Sequence, residues 1–472
     1  MRPFAELVLP ALRFDQERGF DHERATIDRG LDLGVGGFIV FGGERGAVRR
    51  LTHDLQAAAP HRLLIASDLE RGAGQQVRGL TPLPPVMALA RLGEDAVREA
   101  ARLTALEARD VGINWALAPV VDLDVEPANP IVATRAFGAE PARVASLAAA
   151  WIEACQKEGV LACAKHFPGH GRTRTDSHTE LPIVDAHWSD LLDDLEPFAR
   201  AIASGVRTIM TAHVAYPALD GSGSPATYSR PVLFNLLRMG MRFRGLVVTD
   251  ALIMEGAQRG IGEAEGAVAA LEAGCDLLLY PKGLEAVAHA VEEAVAEGGA
   301  LAGMAPEAAA KRSDAATWAG GPAFLTEAEL AGHRERGEAI CRRAVTILRG
   351  EPPKPRGAVS VEIVDDDAGG PYPLPSRTTF ADTLRAEGVE TRGDGERVVL
   401  LFTDVKSWKG HVELSASSRE RLAAALARPA TVVLFGHPRE LEEIPGSDAV
   451  LCAWSGDEGM QRAAAQRLAG RA

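Results

Sequence analysis

The densest run of ionisable side chains in this 472-residue sequence is 165-KHFPGHGRTRTDSHTELP. Pro168, Gly169 and Gly171 break any regular element, so the stretch reads as a loop. Within it stand Lys165, His166, His170, Asp176 and His178. An Asp two residues before a His lets the carboxylate accept from one ring nitrogen. That contact fixes the tautomer and leaves the other nitrogen to exchange a proton with a bound molecule. The bland alternative is a solvated polar loop in which the two groups bond only each other. Metal binding by His166, His170, Asp176 and His178 is a second alternative, but the spacing follows no standard zinc pattern. Neither a metal nor a cofactor is expected.

Other chemistry-bearing residues close short apolar runs. Asp68 ends 62-RLLIASD, Asp122 ends 114-NWALAPVVD, His213 ends 206-VRTIMTAH, and Asp250 ends 245-GLVVTD. A single Asp at a strand end needs no function, since turns favour it. With Lys165 and His166 at the end of 160-VLACAKH, five successive strand ends bear polar or ionisable groups, more than packing requires. A carboxylate at the end of a buried strand is either paired or reactive. One carboxylate and one Asp-steered imidazole across a shared mouth meet the needs of glycoside hydrolysis by double displacement. Asp250 would attack the anomeric carbon, and His178 would first protonate the leaving oxygen and then deprotonate water.

The elements that must position these groups are legible as well. Runs such as 36-GGFIVFGG, 62-RLLIASD, 160-VLACAKH, 206-VRTIMTAH, 245-GLVVTD and 275-CDLLLY are short and apolar on both faces, as buried parallel strands are. With 6-ELVLPAL and 114-NWALAPVVD they make eight. Between them lie amphipathic helices: Val144, Leu147, Ala148, Trp151 and Cys155 share one helical face, and so do Leu191, Leu195, Phe198 and Ile202. The pattern predicts an α/β chain with a (β/α)₈ TIM-type barrel and trailing helices over residues 1–348. An open doubly wound sheet is the alternative architecture. In such a barrel the strand C-terminal ends carry the functional groups. Residues 349–358 read as a linker, because 351-EPPKPRG holds three prolines. A smaller open α/β domain is expected over 359–472, from 359-VSVEIVDDD, 398-VVLLFTD, 431-TVVLFGH and 449-AVLCAWSG. No Walker loop and no G-x-G-x-x-G occurs in it, so nothing there points to a nucleotide.

The net charge of −14 argues against nucleic acid as a partner, because phosphate binding calls for a basic surface. No stretch approaches the length of a membrane span, and the N-terminal residues show no uninterrupted apolar leader core. The five cysteines (155, 163, 275, 341, 452) are scattered without a C-x-x-C and read as buried free thiols. A cytoplasmic location is the expectation; the oligomeric state is open.

The string KHFPGHG-x-T-x-x-DSH-x-x-LP, followed in order by TDALIM, resembles the N-acetyl-β-glucosaminidase branch of glycoside hydrolase family 3. The resemblance extends over about residues 1–345 and includes 66-ASDLERG and 134-TRAFG. It implies release of non-reducing β-linked N-acetylglucosamine with retention, typically from cell-wall fragments carrying N-acetylmuramic or 1,6-anhydro-N-acetylmuramic acid. A small carbohydrate substrate is thus the implied partner. By the same resemblance Asp250 is the nucleophile, His178 the acid/base and Asp176 its orienting partner. Asp68, Arg135, Lys165 and His166 match residues that hold sugar hydroxyls, and His213 and Met254 line the same region. The family commonly has an Arg eight residues after the strand-end Asp; Gln76 stands there instead, with Arg78 nearby. Both are carried as candidate substrate contacts. The C-terminal domain resembles the second domain of many family members, and with the Asp176–His178 loop present it reads as structural or as an interaction surface. A phosphorylase on the same scaffold and a non-catalytic sugar-binding protein are the competing functions. The first is separable only by products formed with and without phosphate. The intact Asp250, Asp176 and His178 speak against the second.

Overall fold

A computed structural model of the chain describes residues 3–258, 260–352, 355, 357–367, 374–404, 409 and 412–471. Pro353, Lys354 and Arg356 of the expected linker lie outside the described residues. Eight parallel strands form the first unit: β1 (Val8–Leu9 and Ala11–Arg13, interrupted at Pro10), β2 (Gly37–Phe41), β3 (Leu64–Ser67), β4 (Trp115–Ala116), β5 (Leu161–Phe167), β6 (Thr208–Thr211), β7 (Leu246–Val248) and β8 (Leu278–Leu279). Neighbours in sequence are neighbours in space from β1 to β7. The ring closes where Val8 pairs with Leu278 and where Val248 bridges Leu277. The alternation of strands and helices therefore resolves as a barrel, not an open sheet.

The strands are buried along their lengths, β5 at all seven positions, because helices cover the outside while side chains fill the inside. Trp115 is fully buried, and its Nε1–H reaches Thr208 Oγ1 across the barrel at 2.9 Å. The helix Pro141–Lys157 buries Val144, Leu147, Ala148, Trp151 and Cys155, the stripe that its sequence period specifies. β4 is shorter than the apolar run 114–122 because Pro119 has no N–H to continue a regular ladder. Backbone pairing nevertheless runs on around it: Leu117 N donates to Ser67 O at 2.9 Å, Ala118 O accepts from Cys163 N at 2.7 Å and Val121 N donates to Lys165 O at 2.8 Å.

After the barrel, the helices Gly299–Trp318 and Glu327–Ala344 lead away, the second opened by a capping box between Thr326 and Glu329. The sequence reading carries helix to about Leu348, but the helix ends at Ala344 and Thr346–Arg349 is a strand, β9. Its Val-Thr-Ile run favours extended backbone. The smaller sheet consists of β9, β10 (Val359–Asp365), β11 (Glu396–Phe402), β12 (Thr431–Phe435) and β13 (Ala449–Cys452). β10 to β13 are parallel and β9 is an antiparallel edge on β13. Its apolar core takes in Met87, Ala88, Cys341 and Ala344 from the barrel side. Trp454 Nε1–H donates to Ala344 O at 2.8 Å across the same boundary. All five cysteines are free and buried. No helix among the described residues is long and apolar enough to cross a membrane.

Candidate active site

The C-terminal strand ends converge, and the chemistry-bearing side chains form three connected groups. In the first, Lys165 is buried at the end of β5 with Nζ 2.8 Å from Asp68 Oδ1 and 2.7 Å from Glu70 Oε1. Glu70 also accepts a two-pronged pair from Arg135, 2.9 Å from Nε and 2.8 Å from Nη2. Burial alone would raise the Glu70 pKa, but the Arg135 and Lys165 cations outweigh it and hold the carboxyl well below its ordinary range. Burial likewise opposes the Lys165 charge, and Asp68 and Glu70 reverse that effect and raise its pKa. The result is a fixed row of alternating charge. Such a row suits adjacent sugar hydroxyls, which take one bond from a cation and give one to a carboxylate.

Asp122 organises the second group. It accepts from His166 Nδ1–H at 2.7 Å, from His166 N at 3.1 Å and from His170 N at 2.7 Å. The contact fixes Nδ1 as the His166 ring nitrogen that gives its proton to Asp122. His170, by contrast, uses both ring nitrogens within the loop, Nδ1 to Thr173 Oγ1 at 2.8 Å and Nε2 to Ser177 Oγ at 3.1 Å. Burial pushes its pKa down to about 4. It is a brace of the loop. Among the described residues no group of three or more His, Cys, Asp or Glu side chains is arranged to hold a metal ion.

The third group surrounds Asp250. Its Oδ1 accepts from Ala251 N at 2.7 Å. Burial raises its pKa, yet His166, His213 and His178 together bring it down to about 2. His213 is fully buried, with Nε2–H donating to Ala251 O at 3.2 Å and Nδ1 lying 2.8 Å from Thr227 Oγ1. With both nitrogens occupied, it holds the backbone beside Asp250. Met254 is buried four residues on, its amide bonded to Ala251 O. On the facing loop Asp176 is buried, and its Oδ1 accepts from His178 Nδ1–H at 2.7 Å and from His178 N at 2.8 Å. The His178 side chain is 17% exposed, so the imidazole is steered by a buried carboxylate and still reachable from solvent.

Gln76 and Arg78 take other places. Gln76 Oε1 accepts from Gly42 N at 3.1 Å at the end of β2. Arg78 pairs with Glu44 at 2.8 Å and stacks over Phe14 on the rim. The sequence reading did not single out Glu70 or Thr227. Glu70 had a signal, because it lies two residues beyond Asp68 and extended backbone puts such residues on one face. Thr227 had none: its partnership with His213 depends on where a loop returns.

Residues 15–313, more than half of the chain, match the family described as Glycosyl hydrolase family 3 N terminal domain. A beta-N-acetylglucosaminidase/beta-glucosidase of Cellulomonas fimi is 39% identical over 244 residues, covering 49% of this chain and 43% of that protein. The chain thus spans less than half of that relative's length. A beta-hexosaminidase of Tolumonas auensis is 39% identical over 254 residues, 52% of this chain and 75% of that one. Among solved structures, a glycoside hydrolase family 3 beta-N-acetylglucosaminidase from Paenibacillus sp. str. FPU-7 superposes with a TM-score of 0.86 at 28% identity, over 99% of this chain and 96% of that one. With the barrel, the strand-end constellation and these likenesses together, the chain belongs to glycosyl hydrolase family 3.

Proposed function

We propose that the protein is a retaining β-N-acetylhexosaminidase that releases terminal N-acetylglucosamine, with Asp250 as nucleophile and His178 as acid/base. The observation that carries the reading is His178, oriented by buried Asp176 on a loop that the Gly256 amide joins to the segment following Asp250. The names of the relatives from Cellulomonas fimi and Tolumonas auensis support the sugar class.

In the first step an Asp250 oxygen attacks the anomeric carbon as its bond to the leaving oxygen breaks, and the His178 imidazolium gives that oxygen a proton. In the second step neutral His178 takes a proton from water, whose oxygen attacks the anomeric carbon and releases Asp250. Asp176 serves both steps by keeping the Nδ1 proton in place, so exchange occurs at Nε2. An imidazole can give a proton in one step and take one in the next, as the group here must. Asp68, Lys165, Arg135 and His166 would fix the sugar hydroxyls, with Glu70 bracing the two cations. The natural substrates we propose are cell-wall fragments with N-acetylglucosamine β-linked to an N-acetylmuramic unit. The five buried free thiols are in keeping with a reducing, cytoplasmic setting.

Incubation with a 2-fluoro glycosyl donor tests the nucleophile: peptide mapping should find the label on Asp250, and a label on Asp68 or Asp122 would displace the assignment. Turnover of the p-nitrophenyl N-acetyl-β-glucosaminide should exceed that of the glucoside. Free sugar, with no glycosyl phosphate when phosphate is added, would distinguish hydrolysis from phosphorolysis.

A further inference from the structure

One turn of the C-terminal unit closes on the barrel just beyond Asp122. At the end of β12, His437 and Arg439 close on Asp124, two residues past Asp122. His437 Nε2–H donates to Asp124 Oδ2 at 3.0 Å, while its Nδ1 accepts from Arg439 N at 3.0 Å and Arg439 Nε at 2.9 Å. Arg439 Nη2 bonds Asp124 Oδ1, and Nη1 bonds Pro127 O at 2.6 Å. The Asp124 and His437 side chains are each 9% exposed, so the contact is sheltered from solvent and little screened.

The gripped strip, residues 122–129, is also the seat of the acid/base loop. Asp122 accepts from His170 N, and Asn129 Nδ2 donates to His170 O at 2.8 Å and Thr173 Oγ1 at 3.2 Å. A Cβ on Gly171 would fall 1.9 Å from Leu123 O, so the loop backbone lies directly on the strip. Glu126 holds Arg174 at 2.8 Å. These eight residues therefore join the grip of His437 and Arg439 on one side to the loop bearing Asp176 and His178 on the other.

We infer that Arg439 and His437 are positioning residues: through the strip 122–129, the C-terminal unit fixes the loop that carries His178. This inference rests on the proposed role of His178, and it assigns the second domain a part in proton transfer without placing any of its atoms on substrate. Loss of the grip would let the strip relax, and a small misplacement of an acid/base group slows the step that needs it far more than it weakens binding.

The test uses the full chain with Arg439→Ala, Arg439→Lys and His178→Ala. In Arg439→Ala, amide exchange in the peptide 169–180 should quicken about ten-fold, with the barrel strands unchanged. Its kcat on an N-acetylglucosamine-terminated disaccharide should fall by roughly 10–50-fold but on the p-nitrophenyl substrate by less than about 3-fold, with KM within about 2-fold on both. Arg439→Lys keeps the cation without the fork and should fall between; it stands in if the alanine variant does not fold. Unchanged exchange in 169–180, or equal losses on the two substrates while His178→Ala discriminates between them, would overturn the positioning role alone. A His178→Ala enzyme that does not discriminate would overturn the acid/base reading and this inference with it, even if the loop exchange quickens.

Discussion

Gly256 donates its amide to Ser177 O at 3.0 Å, and this one bond docks the segment after Asp250 onto the loop bearing Asp176 and His178. The approach is close because Gly256 has no side chain. A Cβ there would lie 2.9 Å from Ser177 O, 3.1 Å from His213 O and 3.2 Å from Glu180 O, all backbone atoms. The segment after Asp250 and the loop of Asp176 and His178 thus share a joint that only glycine fits.

Gly256→Ala should push the two loops apart by a few tenths of an ångström. We expect a fall in kcat of about 10–100-fold and a stability loss of about 1–2 kcal/mol. Steady-state kinetics and urea unfolding would check both. Wild-type turnover in a well-folded variant would show that the joint tolerates displacement.

His178→Ala should lose far more activity on a natural disaccharide than on the p-nitrophenyl substrate, whose leaving group needs little acid help. Breakdown of the glycosyl-enzyme should become limiting, and azide should restore turnover as β-glycosyl azide. Asp176→Ala should show a milder form of the same pattern, because it orients the ring without exchanging the proton. Equal losses on both substrates without azide product would make His178 a binding residue.

Glu70→Gln would leave Arg135 and Lys165 facing each other with one carboxylate fewer. Removing one partner from a buried ion network costs about 3–5 kcal/mol, so the midpoint of thermal unfolding should drop clearly at pH 7. KM should rise more than kcat falls if, as proposed, the row addresses hydroxyls and not the reacting bond. A variant as stable as wild type would mean that the network contributes little.

His170 supplies a pH signature. Its pKa is about 4 in the folded chain against roughly 6.5 when unfolded. Between those values the unfolded chain binds the extra proton, so stability is full above about pH 6.5 and is lost as pH falls towards 4. At about 1.4 kcal/mol per unit the loss is on the order of 3 kcal/mol. Urea midpoints measured from pH 7.5 to 4.5 should fall more steeply in wild type than in His170→Gln. Parallel slopes would place the sensitivity on other groups.

The sequence by itself determined the strands of the first unit, its helix faces and the loop beyond Phe167, because these depend on local signals. Closure into a barrel and the extension of β5 through Lys165 to Phe167 came from the structure. Two-sided apolar runs of four to seven residues become buried strands wherever they lie, and the Val144 to Cys155 stripe buries the same face that its spacing marks. The nearness of Asp176 to His178 was likewise a matter of two residues along a chain. The partners of those groups were decided only by tertiary structure. Glu70 meets Arg135 across 65 positions, and Thr227 meets His213 after a loop returns. Arg439 reaches Asp124 across 315 positions. The helix that gives way to strand at Thr346 does so because β13, about a hundred residues later, offers an edge to pair with. Local pattern specifies which face of an element is buried, but which charges neutralise one another depends on contacts that exist only once the barrel has closed and the second sheet has docked on it.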